Sequence, residues 1–77
     1  MNASLSDILI VFKTALDGPA MGQAKTCLMQ TGRTVLVHQK EDQDRILLVK
    51  FAPDDVTPSG LLSAVRDAGF EASMAGG

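Results

Sequence analysis

The apolar residues of this chain fall into short groups whose spacing changes along the sequence. Residues 7–13 (DILIVFK) form a run rich in β-branched side chains, which suits a strand buried on both faces. Residues 16–19 (LDGP) break the run, and Pro19 fits the first position of a helix. Over residues 20–31 the spacing lengthens. Met21, Ala24 and Leu28 recur every three or four residues, with Cys27 beside them, and predict a helix that Gly22 and the threonines make weak by propensity. Gly32 is expected to stop it in the left-handed conformation that glycine adopts readily. Strands at 34–39 and 45–51 then flank the polar stretch KEDQDR and predict a hairpin, with Leu47, Val49 and Phe51 facing inward at the two-residue strand period. Thr57 is a natural N-cap and Pro58 a first helical residue, so a second helix is expected at 58–68 with Leu61, Leu62, Val65 and Ala68 as its apolar stripe. Gly69 closes it before a last strand at 70–74.

The order is β-α-β-β-α-β, the split βαβ arrangement of the ferredoxin-like α+β class. It predicts a four-stranded antiparallel sheet with two helices on one face. The expected core is Ile8, Ile10, Phe12, Leu28, Val35, Val37, Leu47, Val49, Phe51, Leu62, Val65 and Phe70. The other sheet face is then either polar or a docking surface. A chain of 77 residues is one domain's worth. We expect a flexible N-terminus at 1–6, a single domain at 7–74 and a flexible tail at 75–77.

Composition narrows the function classes. The net charge is −2, the seven basic residues are scattered, and the aromatics are Phe12, Phe51 and Phe70 alone. A nucleic-acid binder needs a basic stripe, usually with interleaved aromatics, so nucleic acid is set aside. Cys27 is the single cysteine, which rules out an internal disulfide framework. The apolar run at 8–12 is too short to cross a membrane or to form a signal-peptide core. The segment is therefore expected to be cytoplasmic, or the cytosolic part of something larger, without inserting into a membrane.

The second half resembles a known family. A strand closes on Phe51, and Pro53 and the N-cap Thr57 follow. The helix then reads Leu61-Leu62-Ser63-Ala64-Val65-Arg66-Asp67-Ala68-Gly69-Phe70. This is similar to the heavy-metal-associated domains of copper chaperones and metal-transporting ATPases, whose second helix leaves through Ala-Gly-aromatic. Small Ala64 and Ala68 suit a helix lying close to a sheet, and Gly69 suits a sharp reversal. The resemblance implies the ferredoxin-like fold and a setting in metal transport.

The family's metal motif is Gly-Met-x-Cys-x-x-Cys, in the loop after the first strand. Two thiols at a helix N-terminus lose their protons readily and together grip a soft ion. Counting back from Ala24, Leu28 and Gly32 puts the two positions on about Asp17 and Ala20, in Thr14-Ala15-Leu16-Asp17-Gly18-Pro19-Ala20-Met21. No thiol stands there. The loop at Asp17, Gly18, Pro19 and Ala20 reads as degenerate, with Asp17 suited to capping the helix instead.

Substitute ligands are weak. Cys27 lies seven residues beyond Ala20, about 10 Å along a helix, and is expected to be a largely buried core thiol. Met21 and Met29 are expected to fill core gaps. His38 stands alone at a strand end. Asp17 and Asp67 are too few oxygen donors for a hard cation, and Glu41, Asp42 and Asp44 lack the glycine and terminal glutamate of a calcium loop. Met21 and Cys27 remain the only metal candidates, and no cofactor is expected. No catalytic constellation and no phosphate loop of the Walker type is present, so an enzyme is not expected.

The expected function is a degenerate heavy-metal-associated domain acting as a protein-interaction or regulatory module in metal transport. Its partner would be a metal-transport component or another ferredoxin-like domain. Two rivals stand beside it. One is an atypical soft-metal binder using Cys27 between two molecules. The other is an unrelated ferredoxin-like module that binds a small ligand or oligomerises through its sheet.

Overall fold

The computed structural model describes residues 4–75. The elements are β1 (Ser6–Phe12), α1 (Gly18–Met29), β2 (Val35–His38), β3 (Ile46–Phe51), α2 (Pro58–Asp67) and β4 (Ala72–Ala75). The strands form one sheet in the order β2-β3-β1-β4, and every neighbouring pair is antiparallel. The expected βαββαβ class is therefore the one observed. β1 begins at Ser6 and β4 reaches Ala75, one residue beyond the expected domain limits at each end. Of the expected flexible termini, residues 4 and 5 precede β1 without regular structure, and 1–3 and 76–77 lie outside the described residues.

Strand alternation sorts the sheet into two faces. Ile8, Ile10 and Phe12 of β1 and Leu47, Val49 and Phe51 of β3 turn inward and are buried under the helices. Met21, Ala24 and Leu28 of α1 and Leu61 and Val65 of α2 close the core from the other side. Among the described residues no polar or charged residue is buried. The core therefore holds through apolar packing alone.

Both helices begin by the same device. Asp17 caps α1, its Oδ1 accepting the Ala20 N–H at 2.8 Å, and Thr57 caps α2, its Oγ1 accepting the Gly60 N–H at 3.0 Å. A proline stands in the first turn of each. Leu16 precedes the first cap and Met21 lies four residues beyond it; Val56 and Leu61 occupy the same places around the second. All four belong to the core or pack against it, as in a hydrophobic staple. This pattern buries Met21, Val56 and Leu61, none of which was on the expected core list.

Several expectations need correction. α1 covers Gly18–Met29 rather than 20–31, because the Asp17 cap sets its start, and β4 begins at Ala72 rather than residue 70. Val37, Leu62 and Phe70 are only partly buried against the core. Val37 sits on the edge strand β2, and Leu62 lies one residue off the buried Leu61–Val65 line. Phe70 lies past the end of α2, its ring edge against Phe12 with centroids 5.8 Å apart. Ala68 is exposed because it is the C-cap, where the chain leaves the helix.

The two helix-ending glycines act for different reasons. Gly69 has φ of 99°. Its N–H donates to the Arg66 carbonyl at 3.0 Å and the Phe70 N–H donates to the Val65 carbonyl at 3.0 Å, the paired bonds of a Schellman turn. Gly32 was expected to do the same, but its φ is not positive. It is needed for space: a Cβ there would collide with the Asp55 carboxylate and a Val56 methyl.

Candidate functional site: the loop between β1 and α1

The loop at residues 13–17 sits at one end of the sheet, beside the β2–β3 hairpin tip and the start of β4. Backbone bonds hold it there. The Phe12 N–H donates to the Arg45 carbonyl at 2.7 Å, and Leu16 donates to the Asp44 carbonyl at 2.9 Å. Lys13 donates to the Glu71 carbonyl at 2.9 Å. The Arg45 guanidinium returns a bond to the Phe12 carbonyl at 3.2 Å. The Lys13 ammonium lies 3.4 Å from the Glu71 carboxylate, but both side chains are about three-quarters exposed, so this ion pair adds little.

Residues 17–20 occupy the cap and first turn of α1. Positions 17 and 20 are one turn apart on the same side of the helix, where a pair of ligands could converge. The residues present do otherwise. Asp17 is committed to the Ala20 N–H, and its carbonyl accepts the Met21 N–H at 2.8 Å. Pro19 has no N–H to offer, and the Ala20 side chain donates nothing. The partial positive charge of this helix start is thus met from within the chain by a carboxylate.

The other candidates do not gather here. Met21 is 4% exposed and faces the core. Cys27, expected to be a largely buried core thiol, is partly exposed and is not among the buried core residues. At about 100° per residue it lies roughly a quarter turn from the middle of the Met21–Ala24–Leu28 stripe, on the flank of the helix and not beneath it. Met29, expected to fill a core gap, is 49% exposed. Asp67 is exposed at the end of α2, and His38 is exposed on the outer sheet face. Asp42 takes a positive φ of 70° at the hairpin tip, which aspartate tolerates in turns. Among the described residues no three His, Cys, Asp or Glu side chains come together as a metal cluster.

One residue with a defined job escaped the sequence reading. The Asp55 carboxylate, at the opposite end of the sheet, accepts the backbone N–H of Arg33 and of Thr34, the latter at 3.0 Å. It ties the exit of α1 to the entry of α2. Gly32 was the available signal, since a glycine there admits the carboxylate.

Among the described residues no helix is long and apolar enough to cross a membrane. The chain matches no protein-family model and no curated protein. Solved structures do resemble it. A copper-binding domain from HMA7, a P-type ATPase, superposes with a TM-score of 0.76 at 21% identity, over 91% of this chain and 93% of that one. The mercury-bound form of MerP, the periplasmic protein of the bacterial mercury detoxification system, superposes with a TM-score of 0.70 at 17% identity, over 95% and 100%. At these identities the likeness is one of architecture: the chain has the fold of the heavy-metal-associated domains.

Proposed function

We propose that this chain is a heavy-metal-associated-type domain that has given up the family metal site and serves as a protein-interaction or regulatory module linked to metal transport. The observation that carries this reading is the entry of α1. It has the same plan as the entry of α2: an apolar residue, a capping side chain, a proline and an apolar residue facing the core. A loop that would present soft donors is built here as an ordinary helix start. The likeness of fold to a copper-binding domain and to a mercury-bound protein supports a setting in metal handling. The partner is a metal-transport component or another ferredoxin-like domain. The proposed location is cytoplasmic, supported by a lone cysteine that offers no internal disulfide to an oxidising compartment.

One observation favours a second reading. Cys27 is partly accessible, so two molecules could share a soft ion between their thiols.

Both readings meet in one titration. Copper(I) is offered under reducing conditions against a chelator of high affinity. Wild-type protein is expected not to compete. The double variant Asp17→Cys, Ala20→Cys is expected to compete, because the scaffold holds these positions one turn apart. Wild type competing as well as the double variant overturns the proposal. Competition by wild type that is lost in Cys27→Ser establishes the second reading instead.

A further inference from the structure

The sheet face away from the helices carries an ordered pattern. In strand register it forms cross-strand rows. The first row is Leu36, Lys50 and Asp7. The second is His38, Leu48, Leu9 and Ala75, and the third is Ile46, Val11 and Ser73. Leu36 is 57% exposed, and Leu9 and Leu48 border a shallow open groove of about 270 Å³. Two rows are thus largely apolar; Asp7 and Lys50 stand in the row at one end, Lys13 and Glu71 lie beyond the row at the other, already paired with each other, and Lys40 borders the groove.

Asp7 and Lys50 are direct cross-strand partners. Among the described residues the only ion pair within 4 Å is Lys13 with Glu71, so the two are not bonded to each other. They lie on adjacent strands at the same height. A two-fold axis along the strands, midway between β1 and β3, lays β1 of one copy over β3 of the other. It sets Asp7 against the second copy's Lys50, and Lys50 against its Asp7. The same rotation sets Leu9 on Leu48 and Val11 on Ile46. The other in-plane two-fold axis, across the strands, would instead press Asp7 onto Val11 and Lys50 onto Ile46, leaving charges buried against apolar side chains. Of these two axes, only the one along the strands makes the pattern complementary to itself.

We propose that the outer sheet face binds a second copy of this chain, as an aligned sheet-on-sheet pair with reciprocal Asp7–Lys50 contacts. This rests on the interaction role proposed above and names its partner. Four strands about 4.8 Å apart and six residues rising about 3.4 Å each give a flat footprint of roughly 400 Å². A stable interface takes about 800 Å² per partner. The dimer is therefore reversible and concentration-dependent.

The test is sedimentation equilibrium up to about millimolar protein, with a metal chelator throughout and circular dichroism to check folding. Wild type is expected to show a monomer–dimer equilibrium. Asp7→Lys alone and Lys50→Asp alone each place like charges in both reciprocal contacts, and each should weaken association by about tenfold or more. An equimolar mixture of the two variants restores opposite charges in both contacts. It should associate within about threefold of wild type, as a dimer of unlike subunits. Three results overturn the proposal: wild type monomeric throughout, either variant associating as well as wild type, or a mixture no better than its components. None of them bears on the chelator titration of the α1 loop, so the two readings fail separately.

Discussion

The two helices of this domain start at opposite ends of the sheet, by the same device, but in different surroundings. The α1 entry is fastened by backbone bonds from residues 12, 13 and 16 to the hairpin tip and to Glu71. The α2 entry has one backbone bond across to the start of β2, from the Ala52 N–H to the Thr34 carbonyl at 3.2 Å, and otherwise depends on one side chain, Asp55, which holds the N–H groups of Arg33 and Thr34 above a glycine with no room for a Cβ. Backbone bonds survive most side-chain changes, whereas a carboxylate clamp fails with one substitution. The loop after β1 is thus expected to tolerate new side chains better than the opposite end, which leans on one carboxylate.

That contrast is sharpest at Gly32. Gly32→Ala is expected to lower stability by about 2 kcal/mol, within the range for forced overpacking. Val56 is β-branched and buried, and Asp55 is tied by its two bonds, so neither yields easily. In a domain of this size the melting temperature should fall by roughly 10 °C. A melt within 2 °C or so of wild type would show that the clamp has slack. Asp55→Ala comes next, at about 1–2 kcal/mol, because the N–H groups it releases are exposed and water replaces part of the loss. Urea denaturation measures it, and an unchanged midpoint would remove the asymmetry between the two ends.

The smallest effects should be matched. Asp17→Ala and Thr57→Ala each remove one cap, and each is expected to cost about 1 kcal/mol. If the Asp17 variant alone proved far more damaging, the loop after β1 would hold more than an ordinary helix entry.

Much of this fold was legible in the sequence because strand and helix periods differ and the chain uses both cleanly. The inward residues of β1 and β3 followed from alternation alone. The capping role of Asp17 and the N-cap at Thr57 followed from residue type one or two places before a proline. Position around the α1 axis was read less well. Cys27 adjoins Leu28 in sequence, but neighbours on a helix point about 100° apart, so Cys27 lies beside the core and stays partly exposed. Gly32 was assigned a left-handed turn because that is the usual task of glycine after a helix. Its actual task depends on Asp55, a residue 23 positions away that no local pattern connects to it. The loop's place was legible from the family spacing, whereas its fastening to Asp44, Arg45 and Glu71 depends on which strands lie side by side. The self-complementary outer face was hidden for the same reason, since Asp7 and Lys50 become neighbours only through strand register.

The antiparallel pairing of β1 with β4 also decides how the domain can be tethered. Leu9 lies opposite Ala75 and Phe12 opposite Ala72, so the chain enters β1 and leaves β4 at the same end of the sheet, away from the α1 entry. A longer polypeptide joined at either terminus would emerge from that shared end. The domain could hang from a linker on either side, or be inserted within a host protein between two nearby attachment points, with the end that carries residues 13–17 still pointing outward.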